Sequence, residues 1–286
     1  MRTITEDMLQ KFKEHLQEEE KSHLTICKYM CDLRKLTDYL DGREITKVRM
    51  IRYKEYLKES GGYKTSSINS FLAAANCLFG YLGWHDLHVK AYRIQKEIFV
   101  PENRDLTREE YKRLVRAASQ SGKKRIGLIL QTICATGIRV SELPALTVES
   151  VRRGTAEIYC KGKQRRILMP RSLQVNLLRY IREEGMKSGM VFCTSGGKAL
   201  DRSYIWREMK QICEIANINK EKVFPHNLRH LFAKCFYSIN KDIAKLADML
   251  GHSSIDTTRI YIKSSGFEHR RELEAMDLVD FTEQFT

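Results

Sequence analysis

The chain is poor in proline, with four in 286 residues, and contains no low-complexity tract. That composition excludes a disordered or fibrous protein. It has no run of about 20 apolar residues, so nothing in it reads as a membrane-spanning helix. The opening stretch MRTITEDMLQKFKEHLQEEE is charged throughout and has no apolar segment of the kind that a secretory signal carries. A cytoplasmic protein is expected. No CxxC pair occurs among the eight cysteines. Cys27 and Cys31 come nearest to one another, at helical spacing inside an apolar stripe, so reduced and mostly buried thiols are expected in place of disulfides, with a structural zinc site as the second choice. A phosphate-cradling Walker A loop is absent, since KGK is too short and lacks its first glycine. HNLRH has two histidines at i,i+4 but not the glutamate of a zinc protease. No cofactor and no metal are expected.

What is abundant is positive charge. Fifty lysines and arginines against 36 acidic residues leave a formal +14, which points to a polyanionic partner. The basic residues are spread along the chain and form no single amphipathic block, so a nucleic acid fits better than an anionic membrane. A merely basic soluble protein would share this composition, so the motifs must decide.

The first ninety residues read as four helices. The second, about 22–41, places Ile26, Tyr29, Leu33, Leu36 and Leu40 on one face and stops at Asp41-Gly42. The third, about 46–59, is diluted by basic residues. The fourth, about 65–82, carries Ile68, Phe71, Leu72, Ala75, Leu78, Phe79 and Leu82, a stripe that other helices must cover. Periodicity fails from about 84 to 105, which reads as a basic, partly extended connection. The division expected is a helical domain over 1–95, a linker over 96–105 and a second domain over 106–286. That second domain opens on a capping box, Thr107 with Glu110. It continues with a buried helix ending at Gly137, a β-hairpin within 155–170 whose basic tip is KGKQR, and helices near 172–184, 202–217, 225–240, 242–250, 256–263 and 268–279. The fold class is mainly α, a helical bundle followed by a mixed α+β domain with a small sheet.

Chemically capable side chains recur where this pattern turns. Arg139 follows the Gly137 stop. Lys161 and Lys163 lie at the hairpin tip. His226 and Arg229 share a helix face just after Pro225. His252 and Tyr261 stand on either side of a helix break in LGHSSIDTTRIY, where Gly251 and two serines allow the two side chains to converge. Each has an ordinary explanation: a helix-end arginine on exposed carbonyls, a soluble turn, a structural histidine, a core tyrosine. Together they form a set that can grip a phosphodiester with two guanidiniums, move protons through imidazoles and a lysine, and attack with a phenol. A helix-turn-helix regulator would account for 242–261 and for the charge, but not for Arg139, Lys161 or the His226/Arg229 pair.

ATGIRVSEL (135–143), KGKQRRILMP (161–170), HNLRHLFA (226–233) and LGHSSIDTTRIY (250–261) resemble, in order and spacing, the signature boxes of the tyrosine recombinase (phage integrase) family. The first ninety residues are similar to that family's SAM-like core-binding domain, so the chain resembles the short Xer-like two-domain form. The resemblance implies a site-specific recombinase that cleaves and rejoins DNA through a 3′-phosphotyrosine and a Holliday junction, without ATP or metal. Its partner would be double-stranded DNA carrying specific sites. It would be a monomer in solution and a homo-tetramer on paired sites. Carried over by box, Arg139 and Arg229 would bind the phosphate, with Glu142 orienting Arg139. Lys161 would be the acid toward the 5′ oxygen, with Lys163 as the alternative. His226 and His252 would assist proton transfer, and Tyr261 would be the nucleophile. Asn227 and Leu231 depart mildly from the family pattern and carry no charge in the reaction. A tail stripe of Leu273, Met276 and Leu278 could pack in cis or dock on a neighbouring subunit.

Overall fold

The first periodic stripes become α1 (Glu6–Glu18), α2 (His23–Leu40), α3 (Lys47–Glu59) and α4 (Thr65–Tyr81). Thr5 and Ser22 start the first two by accepting hydrogen bonds from the backbone N–H groups of Met8 and Thr25. Asp41 closes α2 in the left-handed conformation, at the Asp-Gly stop read from the sequence. Leu9, Phe12, Leu33, Leu36, Met50, Tyr53, Leu72 and Phe79 interlock as one core. The computed structural model describes residues 2–59, 62–94, 105–160, 163–261 and 273–278. Its two compact units are Met1–Lys96 and Glu97–Thr286.

Two expectations change in the first unit. Residues 84–92, where periodicity fails, are not a free connection. Leu87 and Val89 are buried in the bundle core, and the side chains of Asn76 and Asn69 tie down the backbones of Val89 and Tyr92. Side-chain-to-backbone ties of this kind leave no periodic trace in a sequence. Cys27 and Cys31 are exposed free thiols, because α2 turns Ile26, Leu33 and Leu36 inward instead.

In the second unit, Thr107 and Glu110 make the expected capping box in front of α5 (Arg108–Gln120). The apolar α6 (Lys124–Thr136) ends at Gly137 with φ +65°, where a Cβ would lie 2.6 Å from Phe232. The chain then makes a 3₁₀ turn (Val140–Ala145) and α7 (Val148–Arg153). The antiparallel hairpin follows, β1 (Thr155–Cys160) against β2 (Lys163–Leu168), with Cys160 opposite Lys163. Because β2 already begins at Lys163, most of the expected tip belongs to that strand. Next come α8 (Arg171–Glu183), α9 (Arg202–Ala216), α10 (Pro225–Asn240), α11 (Ile243–Leu250) and the short α12 (Ile255–Arg259). One large core joins α5, α6, α8 and α9. A smaller cluster of Phe232, Ala233, Leu246, Leu250 and Tyr261 pins α10, α11 and the end of α12. Leu273, Met276 and Leu278 are exposed, and the rest of the expected last helix lies outside the described residues. Among the described residues no helix is long and apolar enough to cross a membrane.

Candidate active site

The site is built on the C-terminal end of α11, where a helix presents carbonyls without intrahelical partners. Three consecutive carbonyls there face three guanidiniums. Arg165 Nη1 donates to Met249 O at 2.5 Å, Arg229 Nη2 donates to Leu250 O at 2.6 Å, and Arg139 Nη2 lies 3.5 Å from Gly251 O. The negative end of the helix dipole offsets their mutual repulsion. Gly251 is required at this crossing, because its φ is +64° and a Cβ would come within 2.5 Å of Arg165 Cδ.

Glu142 holds two of the three arginines. Its Oε1 accepts from Arg139 Nη1 at 2.9 Å, its Oε2 accepts from the Arg139 backbone N–H at 2.8 Å, and Arg165 Nη2 closes on the same carboxylate. Burial alone would raise the Glu142 pKa, but these donors outweigh it and hold the group below the usual carboxylate range. Arg229 is 1 % exposed and is held by the Gly137 and Leu250 carbonyls and by His252. Its Nε is buried with no partner among the described residues. Burial, reinforced by Arg139, brings the guanidinium down to about 10, so it remains charged at neutral pH.

The imidazoles are set by the same charges. Arg229 can only donate, so His252 Nε2, 2.9 Å from Arg229 Nη2, accepts, and His252 Nδ1 carries the proton toward Thr258 Oγ1 at 2.8 Å. Burial first and Arg229 second push the His252 pKa down to about 4. Burial and Arg229 also lower that of His226. The Tyr261 hydroxyl lies 3.0 Å from His226 Nε2, within hydrogen-bond reach. The rings of His226, His230 and His252 stand 5.2, 5.4 and 5.2 Å from the Tyr261 ring, centroid to centroid. The convergence of His252 and Tyr261 across the helix break therefore occurs. Two cavities share the His226 wall. One of about 340 Å³ is lined by Arg139, Arg202, His226 and Arg229, a set suited to an oxyanion. The other, about 200 Å³, is lined by Tyr261, His226, His230 and Asp105.

A pH dependence follows from the neutral histidines. Unfolded histidine binds a proton near pH 6.5, whereas folded His252 resists it down to about pH 4. Between these values the unfolded chain holds more protons, so stability is complete above about pH 6.5 and falls as the solution is acidified. The expected loss is on the order of 1–2 kcal/mol for His252 after allowance for solvent, measured by urea denaturation at pH 7 and pH 4.5. His252→Gln, which removes the titration, flattens that part of the profile.

Arg139, Glu142, His226, Arg229, His252 and Tyr261 are thus gathered within one region of the second unit. Lys161 lies outside the described residues, and Lys163 opens β2. Arg165 and Thr258 were not anticipated. A signal for Arg165 existed, since it alternates in step with buried Ile167 on β2 and faces the same side. Among the described residues no group of three His, Cys, Asp or Glu side chains could hold a metal ion.

The family described as Phage integrase matches residues 104–266, and the Phage integrase N-terminal SAM-like domain matches residues 9–86. Tyrosine recombinase XerA of Pyrococcus furiosus is 30% identical, with 98% of this chain and 97% of that protein covered. Tyrosine recombinase XerD of Vibrio cholerae is 29% identical, with 83% and 84% covered. A crystal structure of XerA recombinase superposes with a TM-score of 0.53 at 26% identity, covering 96% of this chain and 99% of that one. A lambda integrase (75–356) dimer bound to a COC′ core site shares the fold, with a TM-score of 0.74 at 16% identity and coverage of 93% and 97%. With a Phage integrase match over more than half its length and 30% identity to XerA over nearly all of it, the chain belongs to the phage integrase family.

Proposed function

We propose that this protein is a site-specific tyrosine recombinase that breaks and rejoins double-stranded DNA, with Tyr261 as its nucleophile. The observation that carries the reading is the hydroxyl of Tyr261 on His226, beside a cavity lined by Arg139 and Arg229. A non-bridging phosphate oxygen pair in that cavity receives the free N–H groups of both arginines, which stabilise the added charge of the pentavalent transition state. His226, kept neutral by burial and Arg229, takes the phenolic proton as general base. The phenolate oxygen bonds to phosphorus, the 5′ oxygen leaves, and a protonated lysine supplies its proton. The family pattern assigns that lysine to Lys161, with Lys163 the alternative. His252 orders Arg229 and Thr258 around the phosphate. Glu142 fixes Arg139 and Arg165.

Tyr261 is 5 % exposed, so its hydroxyl must exchange the His226 contact for an in-line approach to phosphorus when DNA is bound. One phosphoester replaces another, so the bond energy is conserved and rejoining by a different 5′ hydroxyl is nearly isoenergetic. Residues 1–95 serve as the core-binding domain and 106–286 as the catalytic domain, joined by 96–105. As in the lambda integrase tetramer bound to a Holliday junction, four copies act on two sites. With DNA as substrate, the protein works in the cytoplasm. The test uses duplexes that the protein selects from a random-sequence pool. Two such duplexes are expected to exchange strands through a four-way junction. Relaxation of supercoiled plasmid without site preference and without exchange would favour a type IB topoisomerase instead.

A further inference from the structure

We infer that Asp105 and His230 form a positioning pair for the Tyr261 nucleophile. His230 lies one turn beyond His226 on α10, so both rings leave the same face of that helix. Together with His252 they surround the Tyr261 ring, and the contact of His230 is edge-on at 5.4 Å. His226 has the Tyr261 hydroxyl as its partner and His252 has Arg229, whereas His230 is turned the other way. Its Nδ1 pairs with Asp105 Oδ1 at 3.1 Å, and Lys234 Nζ holds the second oxygen of that carboxylate at 2.5 Å. Burial opposes ionisation of Asp105, but His230 and Lys234 overcome it and bring its pKa to about 2. A permanently ionised carboxylate fixes the proton of His230 on Nδ1 and locks the ring plane, as the acid of a catalytic triad does for its histidine.

The opposite nitrogen carries the argument further. His230 Nε2 is buried and has no hydrogen-bond partner among the described residues, a condition that costs about 1–3 kcal/mol. A side chain serving only to fill space there would be better as an apolar residue. The ring instead forms a wall of the cavity that Tyr261 and Ile260 also line. Tyr261 needs such a wall. It follows a helix of only five residues, Ile255–Arg259, and it shares a buried cluster with Phe232, Leu246 and Leu250. A nucleophile displaced by about 1 Å loses on the order of a hundredfold in rate. The pair thus links the residue that walls the phenol to residue 105, at the entrance to α5, through a hydrogen bond spanning 125 positions of sequence.

The inference rests on Tyr261 being the nucleophile, and the test separates the two. Full-length wild type, His230→Ala, Asp105→Asn and Tyr261→Phe are compared in two reactions on one duplex sequence. The first is cleavage of a nicked suicide substrate, which requires the phenol. The second is ligation of a strand ending in 3′-p-nitrophenyl phosphate. There the 5′ hydroxyl attacks, p-nitrophenolate leaves and no tyrosine is needed. His230→Ala is expected to cleave about 10- to 100-fold more slowly, with Asp105→Asn shifted in the same direction, while both ligate within about threefold of wild type. His230→Asn keeps a donor near the Nδ1 position but removes the ring edge, and is expected to show the same split if the alanine variant folds poorly. Equal loss in both reactions would mark a structural role and overturn the inference, as would unchanged cleavage. Wild-type cleavage by Tyr261→Phe would overturn the functional reading itself.

Discussion

Tyr261→Phe is expected to form no covalent adduct with a suicide DNA substrate, a loss of at least about 10⁴-fold, while its DNA affinity stays within about threefold of wild type. The change deletes one oxygen. That oxygen makes the hydrogen bond to His226 Nε2 at 3.0 Å, and the ring beneath it keeps its packing on Phe232, Leu246 and Leu250. Stability therefore changes by no more than about 1 kcal/mol. The remaining groups that bind phosphate are untouched, so the variant is expected to accumulate a non-covalent complex, visible as a shifted band that dissolves in detergent. Persistence of a detergent-resistant band would place the nucleophile elsewhere.

The second large effect belongs to Arg229→Lys. Arg229 is almost wholly buried, and its fork serves the carbonyls of Gly137 and Leu250 together with His252. A lysine ammonium is a compact charge that cannot reproduce a planar fork, so at least one buried partner is left unsatisfied. Cleavage is expected to fall about 10³-fold through loss of transition-state stabilisation. Folding stability should fall by about 2–3 kcal/mol. Arg139→Lys provides the contrast. Its side chain is 37% exposed and its main tie is to Glu142 at 2.9 Å. It is expected to lose about 10²-fold in cleavage with a melting temperature close to wild type. If the two variants lost rate and stability in the same proportion, the division between a buried anchor and an exposed phosphate arm would be wrong.

How much of this could be read beforehand depended on the kind of signal. Gly137 and Gly251 were legible because a helix stop at positive φ favours glycine, and they bracket the corners on which Arg139 and His252 sit. The stripes of α2 and α4 were legible because burial repeats every turn. Arg165 was hidden because the basic run KGKQR reads as a turn although β2 begins at Lys163. With β2 starting at Lys163, period-two alternation places Arg165 inward, in step with Ile167. The exposure of Cys27 and Cys31 was misjudged because an apolar-looking spacing does not say which way α2 is rotated. The fold-back of 84–92 through Asn69 and Asn76, and the pairing of Asp105 with His230, rest on polar contacts between distant positions, which no local pattern records. The neutral state of His252 was equally invisible, since it arises from Arg229, brought to its ring only by folding.

The central claim is that the phenolic oxygen of Tyr261 becomes covalently attached to DNA phosphorus. The direct measurement is mass spectrometry of the trapped adduct after protease and nuclease digestion. The account predicts a single modified peptide containing Tyr261, joined through its side-chain oxygen to a 3′-phosphoryl nucleotide. Attachment at any other residue, or through a 5′ phosphate, would contradict it.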